Sequence, residues 1–200
     1  EFINALTTNL TAFFREQHHF EVLQQMMAAK RNHNWRIWCS AASTGEEPYS
    51  IAMTASETLG AGGQFHIVNS DIDTKVLATA ARGVYKADNV KGLSAERTQR
   101  FFMRGKGANA GFIRVKPELQ KHMEFMAINL IQELPLREAF DVVFCRNVMI
   151  YFDGPTQRQV LERIHRVMKP GGTLFVGHAE NFSDARSLFA LRGKTVYERV

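Results

Sequence analysis

The sequence has 200 residues, of which 45% are hydrophobic and 22% are charged, which is ordinary for one globular domain or one domain with a small insertion. No apolar run approaches the ~18 residues of a membrane-spanning helix, and the N-terminus lacks the basic and apolar regions of a secretory signal. The net charge of +5 favours acidic partners such as nucleic acid or an acidic protein helix, or reflects a solvated face without a partner.

The first residue, the cysteines and the histidines add three expectations. The sequence does not begin with Met, so we expect a fragment of a longer chain. Cys39 and Cys145 form no CxxC motif and lie in apolar runs, which predicts two buried, reduced thiols in a cytosolic protein. The seven histidines lack the spacing of metal ligands, and we predict no metal site.

The first periodic segment is Thr11 to Ala29, where apolar residues recur at helical spacing and predict one long helix. From Arg36 onward, short apolar runs alternate with helical patterns. The predicted strands are Arg36–Ala41, Phe65–Asn69, Glu124–Ile128, Asp141–Cys145 and Thr173–Gly177, and the predicted helices are Glu46–Leu59, Thr74–Arg82 and Gln157–Met168. This alternation indicates an α/β fold with a doubly wound, mainly parallel sheet.

One region breaks the alternation. Between Gly83 and Met123 the chain is basic and rich in glycine. We interpret it as an insertion with a helix near Ala95–Phe102 and a small antiparallel sheet that includes Gly111–Lys116. A surface loop without regular structure is the alternative.

The first strand leads into a turn of small residues, Ala41 to Gly45, which is followed by Glu46 and Glu47 at a helix start. Small residues allow a ligand to approach the backbone at this edge of the sheet. Two carboxylates there would repel a pyrophosphate and suit a cationic group such as the ammonium of a methionine moiety. Alternatively, the acidic residues only stabilise the helix.

Polar residues also follow two later strands. Asp71 follows the second strand, where an acidic residue can bind both hydroxyls of a ribose, while Asp73 is placed to cap the next helix. Arg146 and Asn147 follow the strand Asp141–Cys145, with Tyr151 in the next loop. This strand end lacks the Asn/Asp-Pro-Pro-aromatic motif of enzymes that methylate amino groups, which argues against a base or amide nitrogen as acceptor.

Five segments together resemble the CheR type of chemotaxis receptor methyltransferases, from about Leu6 to Tyr197. They are LTTNLTAFFREQHHF, WCSAASTGEEPYSIAM, SDIDTKVLATAARGVY, FCRNVMIYFD and GGTLFVGHAENF. The resemblance implies a Rossmann-like class I methyltransferase domain at residues 31–200 with an inserted β-subdomain at about 84–123. It also implies that residues 1–30 form a linker and a helix that line the active site, and that a separate N-terminal helical domain is absent from this sequence.

The resemblance further implies S-adenosylmethionine as cofactor, with S-adenosylhomocysteine as product. Matched by motif, the expected cofactor-binding residues are Asn9, Thr11, Arg15, Glu47, Asp71, Asn129, Leu130, Arg146 and Asn147. Within this set, Glu47 would hold the methionine part, although Glu46 is an alternative, and Asp71 would hold the ribose. Asn129 and Leu130 would flank the adenine.

The implied reaction is the esterification of glutamate side chains on chemoreceptors in the cytoplasm. A glutamate carboxylate, with a pKa of about 4.3, is already an anion at neutral pH, so methyl transfer needs no general base. We therefore expect Arg15 and Tyr151 to position the acceptor. The alternatives are a nucleic-acid methyltransferase, which we disfavour because aromatic-interleaved basic patches are missing, and a non-catalytic receptor-binding module.

The partners implied are the cytoplasmic helices of chemoreceptors, without nucleic acid and without membrane insertion. The Gly-rich loop Arg104–Gly111 resembles the loop of family members that dock a peptide from the receptor's C-terminus. Docking by strand addition requires an exposed edge and a close backbone approach.

Overall fold

The computed structural model describes residues 11–180, 182 and 185–200. Its helices are α1 His18–Ala29, α2 Glu46–Leu59, α3 Thr74–Arg82, α4 Ala95–Phe101, α5 Pro117–Gln120 and α6 Gly154–Val167. Its strands are β1 Trp35–Cys39, β2 Phe65–Asp71, β3 Val84–Lys86, β4 Phe102–Arg104, β5 Phe112–Val115, β6 Met123–Ala127, β7 Phe140–Cys145, β8 Met168–Val176, β9 Phe189–Gly193 and β10 Val196–Arg199.

The larger sheet has seven strands in the order β6-β2-β1-β7-β8-β10-β9. The first five of these are parallel, and β10 runs antiparallel to both of its neighbours. The chain therefore winds outward in both directions from β1, which confirms the predicted α/β fold class.

A second, antiparallel sheet of three strands in the order β3-β5-β4 lies between α3 and α5 in the sequence. It contains the predicted strand within Gly111–Lys116, and α4 covers Ala95–Phe101 as predicted. The small antiparallel sheet is thus confirmed, and the limits of 84 and 123 for a separate subdomain stay a prediction.

The hydrophobic core consists of two clusters of buried side chains. Successive residues of β1 alternate between them: Ile37 and Cys39 belong to the cluster that contains buried residues of α1 and α2, whereas Trp38 belongs to the cluster with those of α6. This alternation is the period of two that places neighbouring side chains of a strand on opposite faces of the sheet. Helices on both faces leave the ends of the parallel strands free to form a site.

The predicted helix from Thr11 to Ala29 is wrong for its first seven residues, because α1 begins at His18. Phe14 and Glu16 have φ angles of 54° and 57°, which interrupt a right-handed helix. Contacts to other parts of the chain favour this turn: the Phe14 amide donates to Ser50 Oγ at 2.9 Å, and its ring lies beneath the Arg97 guanidinium. The segment 11–17 is therefore an irregular turn in front of α1.

Further differences from the sequence-based prediction lie in the C-terminal part of the chain. Helix α6 begins at Gly154 rather than Gln157, and β8 begins at Met168, which was predicted as helical, rather than at Thr173. The hairpin of β9 and β10 was not predicted, whereas α2 and α3 have the predicted limits. Cys39 and Cys145 are buried and unpaired, as expected. No helix within the described residues combines the length and the apolar character needed to cross a membrane.

Candidate active site

The polar residues singled out in the sequence meet at one edge of the seven-stranded sheet. Strands β2, β1 and β7 are neighbours and parallel, so the turn after β1, the end of β2 and the loop after β7 are adjacent. In doubly wound sheets this carboxyl edge, next to the strand at which the winding reverses, is where ligands bind.

The turn between β1 and α2 is fixed by backbone contacts to β2. The amide of Ala42 donates to the Ser70 carbonyl at 2.8 Å, and the amide of Ser43 donates to Asp71 Oδ2 at 2.8 Å. Gly45 has a φ of 102°, and a Cβ there would lie 2.9 Å from Ala80 Cα. Only glycine fits at this position, where the turn passes close to α3 and β3.

Glu47 projects from the first turn of α2 into the site, and Glu46 does not contact the same groups. Glu47 Oε2 accepts a hydrogen bond from Arg146 Nη1 at 2.8 Å, and its Oε1 accepts from Cys39 Sγ at 3.2 Å. Glu46 instead accepts from Thr44 Oγ1 at 2.6 Å. Burial raises the pKa of Glu47 despite the lowering effect of Arg146, so an additional cationic partner would stabilise its ionised form.

Arg146 is the centre of the site's polar contacts, with a side chain that is only 1% exposed. Besides Glu47, it donates through Nη2 to the Arg15 carbonyl at 2.5 Å and lies 3.6 Å from Glu16. Its guanidinium also lies 5.8 Å from the ring centroid of Phe20. Arg146 thus ties the irregular turn before α1 to the carboxyl edge of the sheet.

Asp71 lies at the end of β2, where both of its oxygens accept backbone hydrogen bonds. Oδ2 accepts from Ser43 and Oδ1 from the Asp73 amide at 3.0 Å. Burial raises the pKa of Asp71, and these hydrogen bonds offset part of that effect. Asp73 caps α3 through hydrogen bonds from the amides of Lys75 and Val76, so its predicted capping role is confirmed.

The loop after β7 carries Asn147 and Tyr151. Asn147 has a φ of 57°, a left-handed conformation that asparagine tolerates better than most residues. Tyr151 lies in a short 3₁₀ turn, Met149–Tyr151, and is 52% exposed. Its exposure makes it accessible to a large acceptor.

The other predicted residues lie farther out or outside the described part of the chain. Asn129 and Leu130 follow β6, the edge strand beyond β2; Asn129 Oδ1 accepts from the Ile131 amide, and Leu130 is buried. Thr11 is half-buried, whereas Asn9 lies outside the described residues. The structure therefore brings together Glu47, Arg146 and the backbone carbonyl of Arg15, while Asn129 and Leu130 follow the strand next to β2.

Two functional candidates were missed in the sequence. Glu16 lies against Arg146, and Glu180 hydrogen-bonds the loop after β7. Both are within the segments that carried the family resemblance, FFREQHHF and GHAENF, but nothing in their spacing distinguishes them from solvated glutamates.

The prediction that the chain binds no metal stays a prediction. Ligand atoms of Glu16, His18 and His19 lie within 4.8 Å of one another. The Arg146 guanidinium is 3.6 Å from the Glu16 carboxylate and would repel a cation placed there. Burial, together with the nearby positive charge of Arg146, lowers the pKa of His19 to about 2, so this imidazole is neutral, the form in which histidine can ligate a metal.

Several buried polar atoms at the site have no hydrogen-bond partner among the described residues. They are Arg146 Nε, Ser43 Oγ and Glu16 Oε2. Buried polar groups are rarely left unsatisfied without a functional reason. A ligand with both an ammonium and a carboxylate fits this set, because carboxylates and a guanidinium lie side by side.

The mostly parallel seven-stranded sheet, together with the small antiparallel sheet, resembles the fold of S-adenosylmethionine-dependent class I methyltransferases. Residues 9–197 match the family described as CheR methyltransferase, SAM binding domain, and the chain belongs to that family. The resemblance inferred from the sequence is thereby confirmed.

Comparisons with individual proteins agree with this assignment. The chain is 52% identical over 198 residues to the chemotaxis protein methyltransferase of Escherichia coli K12, and the match covers 98% of this chain and 69% of that protein. It is 50% identical to chemotaxis protein methyltransferase 2 of Pseudomonas aeruginosa, with coverage of 98% and 71%. The CMeT domain of the citrinin polyketide synthase shares the fold, with a TM-score of 0.53, 17% identity and coverage of 80% and 33%.

Proposed function

We propose that the chain transfers the methyl group of S-adenosylmethionine to glutamate side chains on the cytoplasmic helices of chemoreceptors, which forms glutamyl methyl esters in chemotaxis adaptation. The observation that carries this proposal is the buried Glu47–Arg146 pair beside Arg15, at the carboxyl edge of a methyltransferase sheet. The chemotaxis methyltransferases to which the chain is similar support the choice of acceptor.

In the proposed complex the cofactor lies along the ends of β1, β2 and β6. Glu47 binds its ammonium and Arg146 its carboxylate, because these side chains offer the matching charges. Asp71 accepts from the ribose hydroxyls. Asn9, Thr11, Arg15, Asn129, Leu130 and Asn147 complete the proposed cofactor site.

The chain's own task in catalysis is alignment. The sulfonium supplies an electrophilic methyl group, and the glutamate acceptor is already an anion. Both charges disappear as the methyl moves, so strong stabilisation of the separated ions would slow the reaction. Arg15 and Tyr151 would orient the acceptor carboxylate toward the methyl group that the cofactor supplies when bound, and the site would have to exclude water from it.

The experiment that tests the proposal supplies receptor cytoplasmic fragments and S-adenosylmethionine labelled in its methyl group. We expect label on the receptor that mild alkali releases as methanol, which is the behaviour of an ester. Methylated bases or amides do not release methanol under these conditions. Alkali-stable label on nucleic acid would support the nucleic-acid alternative, and receptor binding without label would support the non-catalytic one.

A first prediction tests Arg15 and Tyr151, the two residues proposed to position the acceptor. We expect Arg15→Ala to lower kcat roughly 100-fold, a loss typical of a misplaced reacting group. Tyr151→Phe keeps the ring and should change the Kd for S-adenosylhomocysteine by less than about two-fold. Turnover assays and calorimetric titration measure these effects, and small, equal effects from both changes would contradict the assignment.

We also propose that the small antiparallel sheet binds a peptide from the receptor's C-terminus. Apolar side chains on this sheet are exposed, namely Val84, Met103 and Phe112, and they line an open groove with Arg104 and Arg114. The basic residues suit an acidic peptide.

The loop Arg104–Gly111 supports this second site through its tight shape. A Cβ on Gly105 would lie 2.0 Å from the Asn109 carbonyl oxygen, so the loop folds back closely on β4. Within the part of the chain that the structure describes, β4 pairs only with β5, and its other edge can accept an added strand. Such tethering would raise the local concentration of receptor without changing the chemistry.

A calorimetric titration with a synthetic peptide of the receptor's C-terminal residues tests this site. We expect saturable binding that Phe112→Ala weakens roughly ten-fold, because the ring is a large part of the apolar surface. Leu191→Ala, which alters an exposed apolar residue on β9, is the matched control. If titration of the wild-type chain with the peptide gives neither heat nor saturation, the proposed peptide site is wrong.

The proposed setting follows from the proposed substrate. Receptor helices in the cytoplasm place the reaction there, without membrane insertion and without a role for nucleic acid. The unpaired thiols of Cys39 and Cys145 are consistent with a reducing compartment.

A further inference from the structure

Glu180 is a buried carboxylate just beyond β8, and it is 5% exposed. Its Oε1 accepts hydrogen bonds from the amides of Val148 at 3.0 Å and Met149 at 2.7 Å. Its Oε2 accepts from the amides of Asn147 at 3.1 Å and Gly177 at 2.6 Å. One side chain thus satisfies the amides of three consecutive residues after β7 and of one residue after β8.

These hydrogen bonds occupy the acceptor capacity of the carboxylate. Two carboxylate oxygens offer about four lone-pair positions, and four N–H groups are directed at them. Glu180 therefore has no free lone pair with which to take a proton or bind a ligand directly. Its effect must pass through the backbone that it holds.

The ends of β7 and β8 are too close together to accommodate a side chain at position 177. A Cβ on Gly177 would lie 2.6 Å from Asn147 Nδ2, 3.0 Å from the Asn147 amide nitrogen and 3.0 Å from Glu180 Oε2. The close approach of the two strand ends thus depends on Gly177. Carboxylate and glycine together form a clamp on the loop after β7.

The loop segment that Glu180 holds, residues 147–149, contains Asn147 and lies just before Tyr151, and both are proposed site residues. Asn147 is held at a φ of 57°, which costs conformational energy for any residue other than glycine. The amide of Tyr151 donates to the Val148 carbonyl at 3.2 Å, and the Val148 amide in turn donates to Glu180. Movement of the Glu180 carboxylate would therefore reach both Asn147 and Tyr151.

We infer that Glu180 is a positioning residue for methyl transfer, which sets the loop after β7 so that Asn147 meets the cofactor and Tyr151 meets the acceptor. This inference rests on the proposed function, because it takes the roles of Asn147 and Tyr151 from it. Hydrogen bonds to a charged acceptor are about twice as strong as neutral ones, which suits a task of rigid placement.

The variant Glu180→Gln tests the inference, because it preserves shape while replacing one acceptor oxygen by an NH₂ group. In either orientation of the amide, two of the four backbone N–H groups face a donor. We expect kcat for receptor methylation to fall on the order of 10- to 100-fold, as expected when reacting groups are misplaced by a fraction of an ångström to about 1 Å. The KM for receptor should change much less.

Two measurements separate positioning from a loss of folded protein. The stoichiometry of S-adenosylhomocysteine binding counts intact sites by calorimetry, and we expect it to stay equal to that of the wild type. Glu162→Gln, an exposed residue paired with Arg158, is the matched control with unchanged kcat. A fall in kcat that only parallels a fall in stoichiometry, or no fall in kcat, would overturn the inference.

A second variant keeps the test valid if Glu180→Gln does not fold. Gly177→Ala inserts a methyl group between Asn147 and Glu180, and we expect the same selective loss of kcat. Gly62→Ala, where an added Cβ meets nothing within 4 Å, is its control. If the wild-type chain itself methylates no receptor, the proposed function fails; if the wild type is active and both clamp variants match it, only the inference fails.

Discussion

Replacing Arg146 by methionine is expected to lower the free energy of unfolding by about 3–5 kcal/mol, the range measured when one partner of a buried ion pair is removed. The guanidinium is 1% exposed and lies 2.8 Å from Glu47 and 3.6 Å from Glu16. Without it, two largely buried carboxylates lose their cationic partner. The same variant should lose binding of S-adenosylhomocysteine, because the proposed partner of its carboxylate is gone.

Urea unfolding followed by circular dichroism measures the stability change. Arg166→Met is the control, because that exposed arginine pairs with an exposed glutamate, Glu133, and such pairs contribute little. Adding Glu47→Gln to Arg146→Met should recover part of the lost stability, since it removes one of the stranded charges. Strictly additive destabilisation by the two changes would contradict the role assigned to Arg146.

Much of the fold was predictable because local chemistry and tertiary structure agree in it. The alternation of short apolar runs with helical patterns predicted the five parallel strands, and α2 and α3 have the predicted limits. The Asp73 cap was also predictable, because a capping side chain bonds amides within three residues. In each case the signal and the structure lie in the same stretch of sequence.

The turn at 11–17 and the final hairpin were not predictable in this way. The apolar residues before α1 fit a helical period, but Phe14 packs under Arg97 and against Phe20, and those contacts override the local preference. The short β9 carries Gly193 as its one turn signal, and within the described residues it pairs only with β10. Tertiary contacts, rather than propensity, determine both segments.

The residues of the candidate site also differ in whether the sequence alone could predict them. Asp71 at the end of β2 and Glu47 in the first turn of the helix after β1 were predictable, because topology alone brings the carboxyl ends of parallel strands together. The central position of Arg146 was not, since its burial depends on a carbonyl and a carboxylate from the turn before α1. Glu180 was also hidden, because hydrogen bonds to backbone amides about 30 residues away leave no pattern in the sequence.

Gly45→Ala is expected to be the other severe change, with a loss of about 2–5 kcal/mol of stability. Two costs add at this position. The backbone φ of 102° strains any residue with a Cβ, and that Cβ would lie 2.9 Å from the Cα and Cβ of Ala80 and 2.6 Å from Tyr85 Oη. Relief of the clash requires the turn after β1 to move away from α3 and β3.

The chain offers controls that separate the two costs. Gly60 has a φ of 74° with nothing within 4 Å of an added Cβ, and Gly62 has open space with no positive φ. Gly60→Ala should lose only a backbone part, about 1–3 kcal/mol, because its φ of 74° and ψ of −166° lie in a region that is essentially restricted to glycine. Gly62→Ala should lose almost nothing. The three variants are compared by urea unfolding, and a loss at Gly45 as small as that at Gly62 would show that neither the backbone angle nor the contacts to Ala80 and Tyr85 impose a constraint.

Cofactor binding gives a second and independent measure of the Gly45 turn. The amide of Ser43 donates to Asp71, the proposed ribose ligand, and Thr44 contacts both Glu46 and Tyr85. A turn displaced by Gly45→Ala would withdraw the Ser43 amide and reorient Asp71. We therefore expect S-adenosylhomocysteine affinity to fall in Gly45→Ala even under conditions where the variant is fully folded, and to remain unchanged in Gly60→Ala, because that residue lies at the opposite end of α2.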